Sequence, residues 1–184
     1  MKKTLNNYHL LFMVIVLLGI LTVSCGKDDK EDEVASYAGN YQLKKATLKT
    51  IDIGFKLDVD EDITPMIQDV LLNVSPCSDQ LQTIIELHPD QSIYLSCLDE
   101  EMILKAGRWS QNIPDRQLTL IFENAEVWQG DPITLKDVTV KGNVTTGTSN
   151  TVSIDKKWLA NYTNMPDQMP DIIKVTFSME MTKQ

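Results

Sequence analysis

Few residues in this chain are of a type and spacing that could do chemistry. They are three thiols, one turn histidine, two acidic clusters and three aromatics in loop-like sequence. His88 could serve as a general base, but no serine-centred or cysteine-centred motif accompanies it, and Pro89 follows directly. A turn histidine at a strand end is the reading its neighbours favour. Asp99-Glu100-Glu101 could supply the paired carboxylates of glycoside hydrolysis. Adjacent strand residues point to opposite faces, so an acidic hairpin tip is the stronger expectation. Asp58-Val59-Asp60-Glu61-Asp62 places acids at alternate positions, as a calcium loop does. Ile63 stands where that loop needs its turn glycine, and no glutamate occupies the twelfth position. An EF-hand is therefore excluded, and a solvated acidic segment is expected. Trp128 precedes Gln129-Gly130-Asp131-Pro132, while Trp158 and Tyr162 lie four apart. Exposed Trp and Tyr on loops make platforms for sugars or apolar ligands, whereas the same residues buried at a barrel mouth are packing. These three are the candidate ligand-binding residues.

Of the thiols, Cys25 has the most informative surroundings. Lys2 and Lys3 form a positive start, residues 10–20 (LLFMVIVLLGI) are apolar, and Leu21-Thr22-Val23-Ser24 leads to the sulfur. This is the layout of a secretory signal peptide. A membrane span needs about 20 predominantly apolar residues, and the clean run is shorter. The acidic flank after it is also a poor stop-transfer signal. A cysteine at the cleavage position resembles the lipobox of bacterial lipoproteins. That resemblance implies cleavage before Cys25 and diacylation of its sulfur. Each buried methylene contributes about 0.8 kcal/mol, so two or three acyl chains together make a durable tether. The expected protein is lipid-anchored in the outer membrane, with its body outside the bilayer.

The residues after the cysteine are Gly26-Lys27-Asp28-Asp29-Lys30-Glu31-Asp32-Glu33. Lys27-Asp28-Asp29 resembles the surface-export signal of lipoproteins in one group of Gram-negative bacteria, which implies display on the cell surface. Charge-rich runs also serve as solvated spacers, and the two roles are compatible. The expected organisation is residues 1–24 as signal peptide, 25–35 as lipidated cysteine and acidic tether, and 36–184 as the folded body.

Loss of residues 1–24 removes two lysines and no acid, taking the formal charge from −9 to −11. So acidic a body opposes nucleic acid and anionic membrane surfaces, and no basic patch with interleaved aromatics offsets it. Nucleic-acid binding is rejected. With Cys25 assigned to lipid, Cys77 and Cys97 remain. An exported route permits disulfides, and an even remainder favours one bridge over two separate buried thiols. Two thiols and His88 are too few for a zinc site. No metal and no cofactor are expected.

The elements that must position these residues are mostly strands. Period-two alternation recurs at residues 41–48, 51–59, 81–88, 92–98, 102–109, 117–122, 133–144 and 172–181. In the last, Ile173, Val175, Phe177, Met179 and Met181 share a face. Pro89-Asp90-Gln91 and Asn112-Ile113-Pro114-Asp115-Arg116 read as hairpin turns. Residues 142–150 are small and polar and read as a loop. Residues 63–74 carry Met66, Ile67, Val70, Leu71 and Val74 at helical spacing with Pro65 near the start, which predicts one short helix. Residues 156–162 suit a helical turn, and Met165-Pro166-Asp167 with Met169-Pro170-Asp171 a rigid loop. Many short strands predict an all-β antiparallel barrel or, as the alternative, a β-sandwich. Closure removes exposed edges, which favours the barrel.

Gly39-Asn40-Tyr41-Gln42-Leu43 opens the body, Cys77-Ser78-Asp79 precedes a strand, and His88-Pro89-Asp90-Gln91-Ser92-Ile93-Tyr94 turns into the strand ending at Cys97. Gly107-Arg108-Trp109 follows as a Gly-x-Trp. Over residues 36–125 this order resembles the lipocalin-like domains of bacterial surface lipoproteins. The resemblance implies a lipocalin-like barrel in which the glycines allow close approach and the aromatics plug one end. The functional expectation is a non-catalytic module that binds a small apolar or glycan ligand in or beside the barrel. An accessory or structural subunit with an envelope protein partner is the alternative.

Overall fold

The computed structural model describes residues 36–123, 125–128, 131–163 and 169–184. The expected signal peptide, Cys25 and Lys27-Asp28-Asp29 lie outside these residues, as does the first Met-Pro-Asp. Alternating apolar and polar residues make the strands, since one sheet face meets the core and the other water. They are β1 (Gly39–Asp52), β2 (Lys56–Asp62), β3 (Thr83–Leu87), β4 (Ser92–Cys97), β5 (Glu100–Asn112), β6 (Gln117–Phe122), β7 (Ile133–Lys141), β8 (Val144–Ser149), β9 (Val152–Asp155) and β10 (Ile172–Lys183). Eight of them, in the order β1-β3-β4-β5-β6-β7-β8-β10, close into a ring when β10 returns to β1, from Tyr41↔Lys183 to Asp52↔Lys174. The fold is thus a closed antiparallel barrel and not a sandwich. β2 replaces β3 beside the second half of β1, and β9 replaces β8 beside the first half of β10.

Inside, the strands place their alternate side chains together. Ile173, Val175, Phe177, Met179 and Met181 of β10 are all buried, as their spacing predicts. They join Leu43 and Leu48 of β1, Leu95 of β4, Leu120 of β6 and Leu135 of β7 in one apolar cluster. Each such side chain contributes about 1.5–3 kcal/mol on burial. β8 instead turns Thr145 and Ser149 inward, and the Ser149 hydroxyl accepts from the Phe177 N–H at 2.9 Å.

Helix α1 (Thr64–Val74) begins with Pro65 in its first turn and buries Met66, Ile67, Val70 and Leu71. Asp62 accepts from the Thr64 N–H at its start, and the Thr64 hydroxyl accepts from the Ala46 N–H at 2.9 Å. A short helix α2 (Lys156–Ala160) is capped by Asp155, which accepts from the Lys157 N–H at 3.0 Å.

The barrel has two unlike ends. The chain enters at one of them, where the Tyr37 N–H donates to the Gln111 side-chain carbonyl at 2.8 Å. Tyr41, 2% exposed, plugs this end and donates its hydroxyl to the Tyr37 carbonyl at 2.9 Å. Burial pushes its phenol above the ordinary value, more than the hydrogen bond with Thr145 lowers it. The far end carries α1, the β4–β5 hairpin and the turn Glu126–Trp128. There the disulfide Cys77–Cys97 spans a Cα separation of 5.5 Å and ties the approach to β3 to the end of β4.

Two expectations are corrected. Residues 142–150, read as a loop, contain β8, which pairs with β7 and β10. Its threonines and Gly147 resemble a loop in composition, but a Cβ at Gly147 would stand 3.0 Å from the Leu135 Cβ, so the glycine lets two strands approach. Residues 51–59, read as one strand, fold back as a hairpin. Gly54 adopts φ +102°, Asp52 accepts from its N–H at 3.0 Å, and Phe55 is left 61% exposed at the tip.

Candidate functional site

Three features on or beside the barrel carry polar or exposed groups that could act. The first sits on the outer face of β3 and β4. Pairing Glu86↔Tyr94 and Ile84↔Ser96 brings Glu86, His88, Tyr94 and Ser96 together. Glu86 bridges the group: one carboxylate oxygen accepts from the Ser96 hydroxyl at 2.5 Å, and the other meets His88 Nε2 at 2.9 Å. The His88 ring lies 4.6 Å from the Tyr94 ring. Partial burial pushes the Glu86 carboxyl up, but the hydrogen bonds from His88 and Ser96, with the charge of His88, outweigh it and hold the carboxyl below its ordinary value. The order of contacts decides the chemistry. A nucleophilic triad needs histidine between hydroxyl and carboxylate; here the carboxylate is in the middle. Ser96 is held as a donor to an anion and is not activated by a base. Neither Glu86 nor Ser96 stands out in the sequence, because only the β3–β4 register unites them.

The second feature gathers the candidate ligand-binding aromatics near the far end. Trp128 is 3% exposed and lies 5.6 Å from the Phe177 ring, against the barrel core. Its indole Nε1 is buried with no hydrogen-bond partner among the described residues. Trp158 and Tyr162 are half-buried and pack on the same cluster. The Tyr162 hydroxyl donates to the Asp69 carboxylate of α1. Trp128 is therefore no open platform: its ring is a wall of the core.

The third feature is an edge. β5 pairs with β4 from Glu100 to Arg108 but with β6 only from Gly107. Met102, Ile103 and Leu104 are 44%, 52% and 47% exposed, and Leu98 in the adjoining turn is 54% exposed. This apolar edge is about 25 Å along β5 from Gln111, where the chain enters.

The remaining candidates have local partners. Asp60 pairs with Lys49 at 2.5 Å, and that hydrogen bond holds its carboxyl low. Asp62 is lowered first by the Thr64 hydroxyl and then by the Thr64 N–H. Among the described residues, no three of His, Cys, Asp or Glu converge as a metal site. Surface grooves of about 350 and 220 Å³ are lined by mixed charges, Asp90, Lys105, Arg108 and Glu123 in the first and Lys45 and Glu180 in the second. No family model, curated protein or solved structure matches the chain.

Proposed function

We propose that this chain is a surface-displayed lipoprotein whose lipocalin-like barrel is a non-catalytic docking module, an accessory subunit of a cell-envelope assembly. The observation that carries the reading is the placement of the apolar β5 edge at the end opposite the chain's entry. A tether through Cys25 and the acidic residues 26–35 would join the body at the entry end and leave that edge uncovered by its own attachment. The barrel interior supports the same view, because its inward side chains meet one another in a single cluster.

Fractionation and protease shaving of intact cells test the anchor. The native chain partitions with the outer membrane and is cut from outside, Cys25→Ala releases it, and alanines at Lys27-Asp28-Asp29 protect it from the protease. A Cys25→Ala protein still fixed in the envelope would overturn the reading. A photo-crosslinker at Ile103 should capture an envelope protein on intact cells, and one at the entry-end residue Lys141 should not.

One observation favours a second reading, a small apolar or glycan ligand beside Trp128, Trp158 and Tyr162. A buried donor without an acceptor is costly, and a ligand oxygen at Trp128 Nε1 would relieve that cost. Native mass spectrometry of protein from its host tests it: a bound small molecule lost on Trp128→Phe supports it, and a bare chain mass removes it.

A further inference from the structure

We propose that the open edge of β5 pairs with the same edge of a second copy, forming a two-fold symmetric dimer in which Glu101 of each copy faces Lys105 of the other. This deepens the docking reading by naming the partner.

The edge is open along residues 101–105. On one side residues 103–105 pair with β4, through Tyr94↔Lys105, Leu95↔Leu104 and Ser96↔Ile103, while Glu101 and Met102 bulge between that run and Cys97↔Glu100. On the other, β6 ends at Phe122 opposite Gly107, and the last bond runs from the Glu123 N–H to the Ala106 carbonyl at 2.9 Å. Among the described residues, none pairs with 101–105 on that side. A free edge with three consecutive exposed apolar residues is a template for strand addition. Natural edges are usually blunted by proline, a bulge or inward charges. Here β5 has no proline, its bulges against β4 fall on either side of residues 103–105, and the charges flank the apolar run.

The order of residues then selects the occupant. Glu101-Met102-Ile103-Leu104-Lys105 is self-complementary when it runs antiparallel to itself about Ile103. Glu101 meets Lys105, Met102 meets Leu104, and Ile103 meets Ile103. Opposite charges and apolar pairs directly across a ladder are both favourable. A shift of the axis to Met102 or Leu104 puts Glu101 against an uncharged residue and breaks the match. Parallel pairing sets Glu101 beside Glu101 and Lys105 beside Lys105. Among the described residues neither Glu101 nor Lys105 forms a salt bridge, and Lys105 acts on Asp90 only at longer range, as one of several charges that lower its carboxyl. One patch used twice is the isologous contact of a two-fold dimer. Leu98 extends its apolar rim, and the Cys77–Cys97 bridge fastens the hairpin that presents it.

A five-residue ladder is smaller than the about 800 Å² per partner of a standard interface. Pairing is accordingly weak in free solution and stronger when both copies share one membrane, which raises their effective concentration.

The test uses the full chain in detergent micelles and in liposomes. Ile103→Cys should form an intermolecular disulfide on mild oxidation, because cross-strand Cβ atoms about the axis lie about 5 Å apart. Phe55→Cys, still more exposed at the β1–β2 turn, should not. Glu101→Lys and Lys105→Glu should each weaken dimerisation about tenfold, since each places two like-charge contacts in the dimer. The double variant should restore it. Equal cross-linking at both cysteines, a monomeric native chain on liposomes, or a double variant as weak as the singles would overturn the dimer. If self-association is absent while the charge variants abolish cross-linking of Ile103 to an envelope protein on cells, the dimer falls and the docking reading stands. If neither contact exists, both fall.

Discussion

Trp109 donates its indole N–H to the backbone carbonyl of His88 at 2.8 Å, across 21 residues of chain. Its own backbone N–H reaches the Gln91 carbonyl at 2.8 Å. The β3–β4 turn, where Gln91 adopts φ +68°, is therefore stapled to β5 by one residue. Two positions earlier, a Cβ at Gly107 would stand 2.0 Å from the Ile121 carbonyl oxygen. Gly107→Ala must part β5 from β6 and should cost about 2–3 kcal/mol, as overpacking does. A lowered urea midpoint with unchanged slope checks this; an unchanged midpoint would show that the strands have room.

The two core tryptophans make a matched pair. Trp109 Nε1 is bonded and Trp128 Nε1 is not. Replacement by Phe removes similar packing from each, but only at Trp109 does it also remove a hydrogen bond, the His88 carbonyl keeping the Gln91 N–H at 2.9 Å. Trp109→Phe should be the more destabilising by about 1 kcal/mol, the net value of one hydrogen bond. Equal losses in parallel denaturation curves would mean that Trp128 has an acceptor in solution, a water or a ligand.

The bridge between Cys77 and Cys97 closes a separation of 20 residues. On the chain-entropy account such a loop stabilises by about 3 kcal/mol. Replacing both cysteines with serine should lower stability by about that amount and raise hydrogen exchange first in β4 and the start of β5. Exchange that rises uniformly over the barrel would contradict this local role.

Glu86 gives the fold an acid limit. Its folded carboxyl lies below the ordinary glutamate value of 4.5, held there by His88 and Ser96 against the opposing effect of burial. Its contribution is complete above pH 4.5 and is lost as pH falls through the folded value. Stability should decline less steeply below pH 4.5 in Glu86→Gln than in the native chain, read from urea midpoints between pH 7 and 3. Superimposable pH profiles would remove Glu86 from the account.

Much of the barrel is legible in the residues themselves. β10 and β6 alternate cleanly, Pro89 and Pro114 sit in turns, and the apolar spacing of 66–74 marks α1. What escapes inspection is non-local or chemically ambiguous. β8 is built from threonines and a glycine, and only its ladder with β7, including Thr139 against Thr146 at 2.8 Å, makes it a strand. Glu86 and Ser96 are ordinary residues until register brings them together. Residues 101–105 read as part of any strand, and their open edge exists only because β6 stops at Phe122. Trp128, in loop-like sequence, is drawn inside by the Phe177 ring.

The ring is sealed by its earliest strand against its latest, Tyr41 beside Lys183. A polypeptide emerging from its N-terminus can form the ladders from β1 to β8 early, but one flank each of β1, β8 and β9 waits for residues 172–183. No shorter prefix has a complete wall: without β10, both β1 and β8 are bare on one flank. Completion of the wall is thus a single late event that waits on the final strand.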